Sequence, residues 1–135
     1  MGARSKARKR ALDVLYEAEL RGTDVVATLG ERLAQADPPI PEYAVTLVEG
    51  VVEHRARIDE VLAAVAAPDW PLERMPAVDR NVLRIGTYEL LFRDDVPEGV
   101  AISEAVELAT ALSTDESPKF VNGVLARVAK DHAPA

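Results

Sequence analysis

Pro76-Ala77-Val78-Asp79-Arg80-Asn81-Val82-Leu83-Arg84-Ile85-Gly86-Thr87-Tyr88-Glu89-Leu90-Leu91-Phe92-Arg93 is the most informative stretch of the chain. Val78, Val82, Ile85 and Glu89 recur on one side at helical spacing, and Leu83, Gly86 and Leu90 widen the stripe. That spacing belongs to a 3.6-residue period, and no period-2 alternation competes with it. A helix apolar over most of its circumference is a central one. Pro76 or Ala77 begins it, as proline suits a first helical turn. Gly86 inside it costs about 1 kcal/mol relative to alanine, a cost that close approach of another helix would explain.

Outward from this helix the same period continues. Downstream, residues 94–99 read as a loop, and 101–112 as a helix with Ile102, Ala105, Val106 and Ala109 inward. Residues 113–118 read as another loop. A last helix runs from Lys119 to about Lys130, through Asn122-Gly123, because Val124, Leu125 and Val128 keep the pattern. Upstream, Ala44, Leu47, Val48, Val51 and Val52, then Ile58, Val61, Leu62 and Val65, flank a polar centre at 53–57. This is one kinked helix or two end to end. Residues 5–21 form a first amphipathic helix stopped by Gly22. A second is capped by Asp24 or Thr23, with Val25, Leu29, Leu33 and Ala36 inward. Prolines break the chain at 37–41 and 67–71, and Pro41 suits a first helical position. The expectation is an all-α bundle whose halves join near 67–76.

At 135 residues the chain suffices for one domain with its own core. It has no cysteine, and its two histidines, His54 and His132, are far apart, so neither a disulfide framework nor a zinc site is expected. No apolar run approaches the roughly 20 residues of a membrane span, and no apolar stretch follows the basic start to make a secretory signal. The expected location is the cytoplasm. No Gly-rich phosphate loop, HExxH motif or nucleophile-base spacing is present, so catalysis and cofactors are not expected.

The net charge is −7, which taken alone disfavours nucleic acid. Yet Arg4, Lys6, Arg8, Lys9 and Arg10 stand together in the first ten residues without an acid, and all 23 acidic residues follow them. Cations at a helix N-terminus oppose the helix dipole by a few tenths to about 1 kcal/mol each. Polyanion binding would compensate that cost, although a solvated basic terminus is the plainer reading. Within the central helix, Asp79 and Arg80 read as helix-start charges and Arg84 as a surface or buried ion-pair partner. In Ser117-Pro118-Lys119-Phe120, an aromatic beside a lysine could stack a base and meet a phosphate; the plainer reading puts Phe120 in the core.

Taken in order, these stretches resemble the NusB family of antitermination factors. The pieces are Arg4 to Tyr16, Asp79 to Leu90, Val100 to Ala109 and Lys119 to Leu125, and together they span nearly the whole chain. The resemblance implies two stacked helical bundles of about seven helices within one RNA-binding domain, 1–135. The N-terminal bundle would cover about 4–67 and the C-terminal one about 76–130. It also implies a non-catalytic protein that binds single-stranded boxA-type RNA of ribosomal RNA leaders. The ribosomal protein NusE would be its partner, in the antitermination complex on RNA polymerase, and a homodimer is compatible with the family. By matching position, the RNA surface would comprise Arg4, Lys6, Arg8, Lys9, Arg10, Asp79, Arg80, Arg84, Glu116, Lys119 and Phe120. Tyr16 would serve as a partner contact. The competing expectations are an accessory module of an RNA-modifying enzyme and a helical scaffold whose basic start is merely solvated.

Overall fold

The computed structural model describes residues 2–35, 39–66 and 71–132. These contain seven α-helices, one short 3-10 helix and no strand, so the all-α expectation holds. The chain divides into two compact units, Met1–Glu53 and His54–Ala135.

The first unit holds α1 (Ala3–Arg21), α2 (Val25–Gln35) and α3 (Glu42–Glu53). Helix α1 buries Ala7, Ala11, Leu12, Val14, Leu15 and Ala18 and packs on α2 and α3. It ends where Gly22 adopts φ 65°, a left-handed conformation that a Cβ would strain. There the N–H groups of Gly22 and Thr23 close onto the carbonyls of Glu19 and Ala18. Of the two candidate caps for α2 it is Asp24 whose side chain acts, its Oδ2 accepting the Ala27 N–H at 3.0 Å. Helix α2 buries only Thr28 and Leu29. Val25 is half-buried and Leu33, expected inward, is 48% exposed, because one turn of this short helix does all the facing inward. Ala36 lies outside the described residues. Pro41 precedes α3 rather than starting it, and its carbonyl accepts the N–H groups of Ala44 and Val45.

The second unit holds α4 (Arg55–Val65), a 3-10 turn (Leu72–Arg74), α5 (Ala77–Phe92), α6 (Glu98–Leu112) and α7 (Ser117–His132). Of the two readings of residues 42–67, separate helices is the correct one, with the break at His54. The division between units therefore falls at 53/54 and not near 67–76. Helix α4 buries Ile58, Val61, Leu62 and Val65 and packs on α5 and α7, which makes it part of the C-terminal unit. The prolines mark helix ends, whereas the apolar faces set the unit boundary. Residues 36–38 and 67–70, within both proline breaks, lie outside the described residues.

Helix α5 is central, as its pattern predicts: from Asp79 to Glu89 every residue but the half-buried Arg80 is buried, and it packs on α4, α6 and α7. At Gly86 an added Cβ would come within 2.7 Å of the Leu125 Cδ1, so the missing side chain lets α7 lie close. Two helices start earlier than expected. Helix α6 begins at Glu98, directly after an extended Pro97. It buries Ala101, Ala105, Leu108 and Ala109, while Ile102 and Val106 are half-buried. Helix α7 begins at Ser117 and takes Pro118 into its first turn, where a missing N–H leaves nothing unsatisfied. It continues through Asn122-Gly123.

Candidate nucleic-acid interface

In the N-terminal unit the basic residues lie along α1, whose first turn carries no acid. The structure sorts them. Arg4 and Lys6 are exposed. The Arg4 guanidinium lies over the Tyr43 ring of α3, 4.2 Å from its centroid. Arg8, one turn on, is only 3% exposed, and its guanidinium approaches the same ring at 5.8 Å. Lys9 pairs with Asp13 at 2.9 Å on the surface. Arg10 borders a small cleft of about 270 Å³ with Asp13, Val14, Glu17 and Arg32. Beside it, Arg32 and Arg21 hydrogen-bond the Glu17 carboxylate and hold its pKa below the usual glutamate range. Tyr16 is half-buried on α1.

In the C-terminal unit, α5 and α7 build an open groove of about 1140 Å³. Phe120, Val124 and Val65 supply apolar wall, Lys119 and Arg127 positive charge, and Asp115 and Glu116 negative charge. Phe120 is half-buried, with part of its side chain left accessible. Phe120, Val124 and Arg127 follow one another at i, i+4, i+7 on α7, which puts them on one face. Arg127 was absent from the expected site, yet that spacing is visible in the sequence.

Asp79 also borders this groove, but its carboxylate is 3% exposed and engaged. It accepts the Ser117 hydroxyl at 2.8 Å and that of Ser113 as well. Ser117 in turn accepts the Thr114 backbone N–H at 3.3 Å. The carboxylate thus ties α5 to both ends of the 113–117 turn and fixes where α7 begins. The expectation placed Asp79 on the RNA surface and did not foresee its burial or these serine partners. Arg80 donates to the carbonyls of Leu72 and Met75, both at 2.9 Å, and so pins the 3-10 turn to α5. Arg84 is 4% exposed. Its Nε and Nη2 meet the two oxygens of Asp59 at 2.9 and 3.2 Å, and Nη1 reaches Asn81 at 3.3 Å. Of its two expected roles, surface or buried ion pair, the buried one is realised. It does not border the groove. Glu116, Lys119, Phe120 and Asp79 are thus brought together, while Arg80 and Arg84 brace the elements behind them.

No group of acidic or histidine side chains among the described residues could hold a metal ion. No helix among them is long and apolar enough to cross a membrane.

The arrangement matches known proteins over nearly its whole length. The pattern of the NusB family matches residues 5–130. Transcription antitermination protein NusB of Kineococcus radiotolerans is 65% identical over 130 residues, 96% of this chain and 95% of the relative. The protein of the same name from Saccharopolyspora erythraea is 66% identical over 131 residues, 96% of this chain and 88% of the relative. Among solved structures, T. maritima NusB superposes with a TM-score of 0.88 at 39% identity, covering 98% of this chain and 94% of that one. A structure of antitermination factors NusB and NusE in complex with double-stranded RNA superposes with a TM-score of 0.83 at 31% identity, covering 96% and 97%. With the helices, their order and the sequence in agreement along almost the entire length, the chain belongs to the NusB family.

Proposed function

We propose that this protein is a non-catalytic transcription antitermination factor that acts in the cytoplasm. Residues 1–135 act as one RNA-binding domain. Its ligand is single-stranded boxA-type RNA of ribosomal RNA leaders, bound together with NusE, and the assembly joins elongating RNA polymerase. The observation that carries this reading is the half-buried Phe120 in a groove bordered by Lys119 and Arg127. An unpaired base can stack on such a ring, for about 1–3 kcal/mol, while the cations meet the adjoining phosphates. A relative solved with NusE and double-stranded RNA supports both an RNA ligand and a NusE partner. The choice of single strands rests on Phe120.

Direct contacts are assigned to Arg4, Lys6, Lys9 and Arg10 for phosphates, and to Glu116, Lys119 and Phe120 in the groove. Arg8, Asp79, Arg80 and Arg84 contribute by holding α1, α5 and α7 in place. Tyr16 is assigned to the protein partner, and the acidic remainder of the chain suits a basic ribosomal protein. A homodimer would compete with RNA if it covered the same residues. The burial of Arg8, Asp79 and Arg84 favours one other reading, an accessory recognition module or helical scaffold in which most of these charges are structural.

Titration of the full chain with a short boxA-like RNA, with and without NusE, at several ionic strengths separates the two. With about four phosphates neutralised, log affinity falls against log salt with a slope near −3. NusE tightens binding. A flat salt response, or equal affinity for unrelated RNA, contradicts the proposal.

A further inference from the structure

One aromatic ring in the N-terminal unit faces two cations. The Arg4 guanidinium lies 4.2 Å from the Tyr43 centroid and that of Arg8 5.8 Å. Arg4 is exposed and Arg8 is buried, so the ring meets an outer and an inner charge. The two arginines are one helical turn apart on α1, where like charges repel. They also stand near the positive end of the helix dipole, in a stretch with no acid in its first turn. Tyr43 comes from α3, which packs along α1, so the contact is tertiary.

The chemistry of this contact suits a binding site better than an ion pair would. A carboxylate in the place of Tyr43 would hold the arginines but cancel the charge that a phosphate must meet. The negative face of an aromatic ring attracts a guanidinium while leaving its formal charge intact. A guanidinium laid against a ring also keeps its N–H donors at its edge, in the plane that bidentate phosphate recognition requires. A side chain ordered before binding loses less conformational freedom when its ligand arrives.

We infer that Tyr43 is a positioning residue for RNA binding, its ring setting the Arg4 guanidinium, backed by Arg8, in the orientation that meets a phosphate. This inference rests on the RNA-binding reading above. Tyr43 acts through the arginines and needs only its ring.

The test is a double-mutant cycle, read by titrating full-length protein with the boxA-like RNA. Tyr43→Leu weakens binding about two- to tenfold. Tyr43→Phe, which keeps the ring, stays within about twofold of the unmodified chain. Arg4→Ala costs less affinity in the Tyr43→Leu background than alone. Unchanged binding by Tyr43→Leu, a Tyr43→Phe variant as weak as Tyr43→Leu, or losses that simply add, overturns the inference. Proton NMR of the unmodified protein gives a check that does not depend on how Tyr43→Leu folds. Arg4 side-chain protons are shifted upfield by the Tyr43 ring current, and their absence from that region overturns the inference. If the unmodified chain binds no RNA, the RNA-binding reading fails and takes the inference with it. If it binds and ignores Tyr43, the inference fails alone.

Discussion

At the start of α1, five cations run from Arg4 to Arg10 with no acid among them, whereas at the start of α7 Lys119 stands beside Asp115 and Glu116. The first region advertises itself by charge. The second has almost no net charge, and its distinction is shape: a groove with an accessible phenylalanine, held open by a carboxylate from another helix. Under the proposed function, the charge in the first unit suits phosphates and the ring in the second suits an unpaired base. The former gripping force is independent of sequence, and the latter depends on unpaired bases. The comparison also separates residues proposed to touch RNA from buried residues that brace the helices. Arg8 reads as surface charge in the sequence and Arg84 as a surface or buried ion-pair partner, and both are buried in the fold.

The sharpest way to break this division is to remove a brace. Arg84→Ala leaves Asp59 with Arg55 as a remaining partner and deletes a nearly buried ion pair. It should lower stability by about 3 kcal/mol, toward the small end for such pairs because Asp59 is partly exposed. Denaturant unfolding measures this. RNA affinity under conditions where the variant is folded should change little. An affinity loss with unaltered stability would move Arg84 to the contact class.

Phe120→Ala should behave in the opposite way. Binding to the boxA-like RNA should fall by about 1–3 kcal/mol, with a minor effect on the unfolding midpoint. The loss should be greatest for the cognate RNA and smaller for unrelated strands. A variant that unfolds readily and binds normally would place Phe120 in the core instead.

The smallest effect is expected at Glu17, at the edge of the basic region. Its pKa is lowered by hydrogen bonds from Arg32 and then Arg21. A carboxyl group whose folded pKa is depressed stabilises the fold above its unfolded pKa, and that contribution is lost as pH falls toward the folded value. Glu17→Gln should therefore lower the thermal midpoint slightly at neutral pH. The difference from the unmodified chain should vanish on acidification through and below the ordinary glutamate range. A difference that persists in acid would mean that the carboxylate charge is not what matters there.

Much of the fold is legible in the chain. The central role of α5 follows from apolar residues around its whole circumference, and the close approach at Gly86 from a glycine where helix propensity disfavours it. The errors cluster at ends and edges. Pro118 looked like a loop residue, yet the first turn of a helix has no N–H for it to lose. Leu33 looked inward, but exposure depends on which neighbours a short helix finds. For the candidate site, Lys119, Phe120 and the arginine-rich turn were legible because charge and aromaticity are local properties. Tyr43, Asp59, Ser113 and Ser117 were not, since each matters only through a partner distant in sequence.

The order of residues by itself determined the all-α class, the apolar helix faces, the concentration of positive charge in the first ten residues and the family. Those properties are set by neighbours within a few residues or summed along the chain. Only the tertiary structure decided which charges face water and which are buried, that α4 belongs with the C-terminal unit, and that one tyrosine ring meets two arginines. Burial and cation–π contact are relations between segments far apart in the chain, and a linear pattern does not encode the distance between them.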